Sequence, residues 1–299
     1  MNTRGFDLAI LALGVAAVSS AAVLIRETAA PAIVIAASRV GLASLPLLAV
    51  TAARRRFALR DDRGALMLAL LSGGFLALHF GFWIASVQET SIITSVVLVT
   101  TTPLFVGLVS SPLLGEKPTR ATWTALAIAA VGALIMVSED FDAGGDTLSG
   151  DAFALLGAIF AGGFLLIGRI VLQKSGDWLS YSTVSYSTGA VLLFGAMLLA
   201  GEGFGGYSDK TYLLLLLIAL IPQLIGHTAI NRSLGHIPAI VVSLAILGEP
   251  VGATILAAIV LDERPSLLQL AGGIIVLAGV AMGVRAGVGV DSKLAPETS

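Results

Sequence analysis

A carboxylic acid stands beside a proline in the middle of an apolar stretch. In the segment LAILGEPVGATI, Glu249 is the only acidic residue between Ser233 and Leu261, and Pro250 follows it directly. A carboxylate in apolar surroundings is costly unless it is protonated or faces water or a partner, and a proline removes a backbone hydrogen bond from a helix. The pair predicts either a group that binds a ligand cation or carries a proton, or a neutral acid that bonds a carbonyl freed by Pro250.

Arg39 is a second ionisable residue inside an apolar run, which extends from 31 to 53. It lies too deep in this run for its guanidinium to reach the end of the segment easily. We therefore predict that Arg39 binds a ligand carboxylate or pairs with Glu249; a structural ion pair is the alternative.

Two histidines, His79 and His227, each have a partner four residues later, Trp83 and Asn231 respectively. Residues at this spacing share one face of a helix. A histidine with an aromatic or amide neighbour suits an amphiphilic ligand with a flat side chain, although a structural histidine and an interfacial tryptophan are the alternatives. Further aromatic candidates for the wall of such a site are Phe164, Tyr181 and Tyr186.

The composition indicates the medium in which these residues lie. Hydrophobic residues make up 57% of the 299 residues and charged residues only 12%, about half the ~25% charged fraction of ordinary soluble domains. With a mean hydropathy of +0.97, most of the chain must be surrounded by lipid. The net charge of -2 gives no indication of a nucleic-acid partner, and the absence of cysteine excludes disulfides, Cys-ligated metals and thiol nucleophiles.

Ten apolar runs are long enough to span a bilayer as helices. They are 6–25, 31–53, 64–87, 91–114, 120–138, 150–173, 178–201, 210–232, 237–261 and 266–285. Continuous runs rich in Ala, Leu and Gly predict helices rather than strands. The first run is longer than the apolar region of a signal peptide, so we expect it to remain as a span. The predicted fold class is an all-α integral membrane protein.

Lys and Arg accumulate in the cytoplasmic loops of membrane proteins. If the N-terminus is cytoplasmic, only Arg26, Lys210 and Arg264 fall in outer loops. Arg39 lies inside a span, which leaves 13 of the 17 Lys and Arg residues for the inner segments. We therefore predict a multi-pass membrane protein with both termini in the cytoplasm.

The chain repeats itself. PLFVGLVSSPLLGEKPTRATWTALAIAAVGALIMV from Pro103 aligns without a gap to PVGATILAAIVLDERPSLLQLAGGIIVLAGVAMGV from Pro250, an offset of 147, while His79 and His227 are offset by 148. Five helices in each repeat force the second copy to insert upside down, as in many secondary transporters. We predict a first repeat at 1–138, a periplasmic link at 139–149, a second repeat at 150–286 and a cytoplasmic tail at 287–299.

The two aligned prolines each lie near the middle of a predicted span. Discontinuous helices at a repeat interface form the substrate site of many transporters, so Pro103 and Pro250 predict two helix breaks that build one site. Ordinary proline kinks are the alternative. Thr102 takes the place of Glu249 in the first repeat, so the two sides of this site differ chemically.

The doubled E-K-P and E-R-P, followed by VGALIMV and AGVAMGV, give the chain a family resemblance. It resembles the EamA-type, ten-helix members of the drug/metabolite transporter superfamily over nearly its whole length. Among these, it is most similar to bacterial exporters of aromatic amino acids. The resemblance implies a secondary transporter of the bacterial inner membrane that exports small metabolites. Aromatic or bulky apolar amino acids are the expected substrates, and other drugs or metabolites are the alternative.

Enzyme motifs are missing from the sequence. It contains no H-E-x-x-H, no intramembrane G-x-S-G, no P-loop and no cysteine nucleophile. We predict no enzymatic activity, no cofactor and no metal, with a membrane-embedded enzyme or a receptor as alternatives of another class. The predicted partners are a small-molecule substrate and the lipid bilayer. A G-x-x-x-G at Gly279 and Gly283 suits packing within the bundle, with a homodimer as the alternative to a monomer.

Overall fold

The computed structural model describes residues 3–54, 57–90, 92–138, 147–260 and 265–294. Within these ranges the regular elements are helices, which confirms the all-α prediction. In chain order they are α1 (Thr3–Val18 and Ala21–Arg26), α2 (Ala32–Arg54), α3 (Arg63–Glu89), α4 (Ile92–Val99 and Thr102–Leu114), α5 (Arg120–Val137), α6 (Leu148–Ser175), α7 (Trp178–Leu199), α8 (Asp209–Ile218, Ala219–His227 and Thr228–Leu234), α9 (Ala239–Ile246 and Glu249–Val260) and α10 (Leu267–Leu294).

These ten helices coincide with the ten predicted runs. Nine of them are long and apolar enough to cross a membrane, and α5 is a slightly shorter apolar helix. The helix ends differ from the predicted ends by a few residues, except that α10 continues as a helix to Leu294. Residues 139–146 of the predicted link, as well as Glu263 and Arg264, lie outside the described residues.

Polar contacts near the helix ends show how the helices alternate in direction. Two ion pairs in the described ranges are Arg169–Glu116 (2.7 Å) and Lys210–Glu27 (2.9 Å), and His236 lies 3.8 Å from the carboxylate of Asp7. The contacts Arg169–Glu116 and His236–Asp7 join helix ends on the face where the N-terminal end of α1 lies, which we call the terminal face. The contact Lys210–Glu27 joins the end of α1 to the start of α8 on the opposite face. Successive helices therefore run in opposite directions.

The last helices of the two repeats, α5 and α10, pack as inverted copies of each other. A methyl group added to Gly132 would lie 2.7 Å from the carbonyl oxygen of Gly272, and one added to Gly279 would lie 2.9 Å from that of Ala125. The offset of 147 exchanges these two contacts. Because the backbones approach too closely for a side chain, both positions require glycine. Gly279 therefore serves packing within the bundle.

Two helices depart from the predicted continuous form. The first, α1, is interrupted at Ser19 and Ser20, whose hydroxyls donate to the carbonyls of Val15 and Ala17 at 2.8 Å. The eighth helix, α8, contains a π-helical segment from Ala219 to His227. We did not predict either irregularity. The π-helical segment packs against α1 and α2, and Pro222, Gln223 and Gly226 lie on its buried side.

Candidate functional site

A cavity lies among the broken and irregular helices. It leaves about 50 Å³ for the centres of water molecules, which is room for a few waters. The residues that line it are Val18, Arg39, His79, Trp83, Val99, Thr100, Thr102, Ala161, Phe164, Leu165, His227, Ile230, Ile246 and Glu249. Six of the ten predicted site residues are thus brought together: Arg39, His79, Trp83, Thr102, His227 and Glu249. The other four, Pro103, Tyr186, Asn231 and Pro250, are not in the lining.

The break in α4 begins just before Pro103. The first half ends at Val99, and the second half begins at Thr102 with Pro103 in its first turn, where the missing N–H of a proline costs least. The Thr102 hydroxyl lies 2.8 Å from the carbonyl oxygen of Val99 and 3.2 Å from that of Ala158. In the first repeat, therefore, a side chain of the break satisfies a carbonyl that the break releases.

The break in α9 has the same form and a different side chain. Its first half ends at Ile246, and its second half begins at Glu249 with Pro250 next to it. Glu249 is 7% exposed and lines the cavity. Its carboxyl group has no hydrogen-bond or ion-pair partner among the residues that the structure describes. The acid is therefore directed at the cavity and not at a released carbonyl.

Arg39 of α2 is fully buried, and most of its guanidinium is in contact with other side chains. Its Nε donates to Oε1 of Gln223 at 2.8 Å, and its Nη2 lies 3.3 Å from Nδ1 of His227. The guanidinium carbon lies 4.0 Å from the ring centre of Phe80 and 5.5 Å from that of Trp83, a cation–π arrangement. Within the described chain, Nη1 has no hydrogen-bond partner. The predicted pairing with Glu249 is not formed as an ion pair within 4 Å.

His79 and Trp83 form a flat surface on α3. Their rings are stacked with an interplanar angle of 2° and centroids 5.9 Å apart. Nδ1 of His79 lies 2.9 Å from the carbonyl oxygen of Gly157; because a carbonyl can only accept, Nδ1 carries a proton. In the neutral ring, Nε2 is then the acceptor. His79 can thus accept one hydrogen bond beside an aromatic surface.

His227 ends the π-helical segment of α8. Its Nδ1 lies 3.0 Å from the carbonyl oxygen of Pro222 and 3.3 Å from Nη2 of Arg39. If Nδ1 donates to the carbonyl, it cannot also accept from the guanidinium, since one nitrogen of a neutral imidazole is either a donor or an acceptor. The two contacts of His227 are therefore alternatives.

The predicted residues Asn231, Tyr186 and Tyr181 do not line the cavity but form hydrogen bonds between the helices that surround it. The amide Nδ2 of Asn231 donates to the hydroxyl of Ser182 at 3.1 Å, and lies 3.5 Å from the hydroxyl of Tyr186. Both Tyr186 and Asn231 are fully buried. Tyr181 is equally buried and bonds the hydroxyl of Ser72 at 2.7 Å. These side chains position α7 against α8 and α3.

Sequence reasoning missed Phe80, Thr100 and Gln223. Phe80 and Thr100 carry no signal, because aromatic and hydroxyl residues are common in apolar helices. Gln223 does carry one: it is an amide beside Pro222 in the otherwise apolar run from Leu213 to Ile225. A polar residue next to a proline is the pattern that identified Glu249, and it applies here as well.

Comparisons with known proteins agree with this architecture. The model of the EamA-like transporter family matches residues 6–138 and again residues 148–285. An uncharacterized transporter of Bacillus subtilis (strain 168), YdfC, is 25% identical over 81% of this chain and 77% of its own length. The crystal structure of a protein superposes with a TM-score of 0.78 at 16% identity, covering 96% of this chain and 99% of that chain.

Proposed function

This chain belongs to the EamA-like transporter family, and from that premise we propose that it exports amino acids with aromatic or bulky apolar side chains. It is a multi-pass membrane transporter built of two repeats and not an enzyme. The proposal concerns the substrate and the route, which we place at the cavity around Arg39 and Glu249.

The observation that carries this proposal is that an arginine and a glutamic acid line the same cavity without forming an ion pair within 4 Å. Nη1 of Arg39 is a buried donor without a partner among the described residues, and the side chain of Glu249 lines the cavity and makes no described hydrogen bond. The first complements a carboxylate and the second an ammonium group. An amino acid carries both, so a zwitterion would satisfy the two groups at once.

The remaining lining favours a flat apolar side chain. Trp83 and His79 are stacked on one side, and Phe164 and Leu165 of α6 contribute apolar surface. Aromatic pairs add about 0.5–1.5 kcal/mol beyond the burial of their area. An aromatic substrate would therefore gain more from this lining than a small polar one.

Passage requires that the cavity change its size and its opening. Room for a few waters cannot accommodate an aromatic amino acid, so the repeats must move apart to admit one and close again behind it. We infer alternating access of this kind, as inverted repeats permit. We also propose that the terminal face is cytoplasmic, in a bacterial inner membrane, since most Lys and Arg residues belong to it. Reporter fusions at residues 144 and 299 that report the same side of the membrane would contradict this orientation.

The experiment that tests the substrate is efflux from proteoliposomes loaded with labelled compounds. Tryptophan, phenylalanine and leucine are compared with tryptamine, which lacks the carboxylate, and with indole-3-propionate, which lacks the ammonium. A hydrogen bond to a charged group contributes about 1.5–3 kcal/mol, so each incomplete analogue should move at least about tenfold more slowly than tryptophan. Efflux of the amino acids no faster than from loaded liposomes without the protein would refute the proposal. Rapid efflux of the analogues alone would indicate another class of metabolite.

A further inference from the structure

The π-helical segment Ala219–His227 brings two side chains to the same edge of Arg39. Such segments are rare in proteins and occur frequently at functional sites. Here the segment contains Pro222, and it places Gln223 and His227 beside the guanidinium. The helix at the corresponding place in the first repeat, α3, is a regular α-helix from Arg63 to Glu89. The irregularity is therefore a property of one repeat and not of the repeated scaffold.

Gln223 makes the shortest contact of Arg39. Its Oε1 accepts from Nε at 2.8 Å, and both side chains are fully buried. Nε and Nη2 point from the same edge of the guanidinium, so Gln223 and His227 together occupy that edge. The ring of Phe80 covers one face of the guanidinium at 4.0 Å. What remains is Nη1, which has no described partner, on a residue that lines the cavity.

The chemistry of the partner decides what the guanidinium can still do. A carboxylate at position 223 would form a buried ion pair and cancel the charge of Arg39. An amide oxygen accepts the hydrogen bond and leaves the positive charge in place. Glutamine is thus suited to hold an arginine whose charge must remain available to a ligand.

We propose that Gln223 is the positioning residue for Arg39: it fixes the guanidinium without neutralising it, and so presents Nη1 to the carboxylate of the substrate. The inference rests on the function proposed above, since it assigns the carboxylate end of the amino acid to Arg39. It also accounts for the π-helical segment, which brings an amide from α8 onto a residue of α2.

The test measures which end of the ligand loses affinity. In reconstituted protein, unlabelled tryptophan and tryptophanamide, which has no charge at the carboxyl end, compete with labelled phenylalanine. We expect the wild type to prefer tryptophan. In Gln223→Glu the inhibition constant for tryptophan should rise at least about tenfold, while that for tryptophanamide should stay the same or fall. Gln269→Glu, at the start of α10 and remote from the cavity, is the matched control and should behave as wild type.

The outcomes separate this inference from the proposed function. If the wild type moves no amino acid, the proposed function fails. If the wild type moves amino acids but Gln223→Glu weakens both ligands equally, or neither, the positioning role is wrong. Should Gln223→Glu fail to reach the membrane, Gln223→Met is measured instead. It keeps the length of the side chain and removes the acceptor, and we expect a several-fold loss for tryptophan alone; equal losses for both ligands would overturn the inference.

Discussion

The two broken helices, α4 and α9, have the same backbone form and differ in the side chain at the break. In each, a short helix ends and a second helix begins with a proline in its first turn. At the break in α4, Thr102 bonds the carbonyls of Val99 and Ala158. At the break in α9, Glu249 bonds nothing that the structure describes. The repeat thus supplies the helix break twice, whereas an ionisable side chain stands at only one of the two breaks.

The third and eighth helices show the same division. His79 and Trp83 lie on a regular helix, and both line the cavity. Of their counterparts, His227 lines it from a π-helical segment, whereas Asn231 is turned towards Ser182. The stacked pair His79 and Trp83 therefore comes from the first repeat, and the polar side chains next to Arg39, Gln223 and His227, come from the second.

The strongest test of this asymmetry is the exchange of Glu249 for glutamine. The variant keeps the size of the side chain and a donor but cannot ionise, so we expect efflux to fall at least about tenfold if the carboxylate binds an ammonium group. If Glu249 also carries a coupling proton, efflux should no longer respond to an imposed pH gradient. Thr102→Val is the matched change in the other repeat and should retain most activity. Wild-type efflux by Glu249→Gln, with unchanged pH dependence, would make the acid architectural.

Much of this arrangement could be read from the sequence, because membrane spans and repeats leave local signals. Apolar runs gave the ten helices, and the offset of 147 placed Pro103 opposite Pro250. The bonds of Thr102 and the partners of Arg39 could not be predicted, since they depend on which helices become neighbours. The π-helical segment also escaped prediction, because a proline in an apolar run predicts an irregularity without fixing its kind.

Straightening both broken helices should have the next largest effect. Alanine at positions 103 and 250 restores an N–H, which allows a backbone bond across each break. We expect the double variant Pro103→Ala/Pro250→Ala to reach the membrane and to transport several-fold more slowly. Pro112→Ala, at an exposed position of α4, is the control and should remain active. Normal efflux by the double variant would mean that the breaks are not needed.

A smaller effect, on access to the cavity, is expected from the polar contacts on the two faces of the molecule. On the terminal face, Glu116 joins the repeats: its oxygens accept from Nε of Arg169 at 2.7 Å and from the backbone N–H of Ala239 at 3.1 Å. Arg169 also donates to the carbonyl of Leu234 at 2.7 Å. A single carboxylate thus connects the end of α4 to α6 and α9 and, through Arg169, to α8.

The opposite face has a related arginine in a more open setting. Aligning α1 with α6 at an offset of 143 places Arg26 on Arg169 and Gly14 on Gly157. Arg26 is exposed and donates to the carbonyl of Val87 at 2.9 Å. Glu116→Gln should weaken the contacts that hold α4, α6 and α9 together on the terminal face.

Because the chain lacks cysteine, Thr100→Cys provides a unique label inside the cavity. In this background, a membrane-impermeant maleimide is added on the terminal face. Glu116→Gln should raise the rate of labelling a few-fold, because it weakens the charge-assisted bond to Arg169. Glu27→Gln, which removes an exposed ion pair on the opposite face, should leave that rate unchanged. Equal rates with and without Glu116→Gln would show that the ion pair does not restrict access.

The smallest effect on transport is expected where the repeats are most alike, at the contact of α5 with α10. A methyl group on Gly132 would lie 2.7 Å from a backbone oxygen, and one on Gly279 would lie 2.7 Å from a backbone nitrogen. Either alanine must push the helices apart at a cost of about 1–3 kcal/mol, so Gly132→Ala and Gly279→Ala should lower the melting temperature in detergent by similar amounts. Gly273→Ala, on the same α10, would meet only methyl groups at 3.7 Å, and should leave stability unchanged or raise it by up to about 1 kcal/mol. Unequal losses at positions 132 and 279 would mean that the packing of the repeats is less symmetric than these contacts indicate.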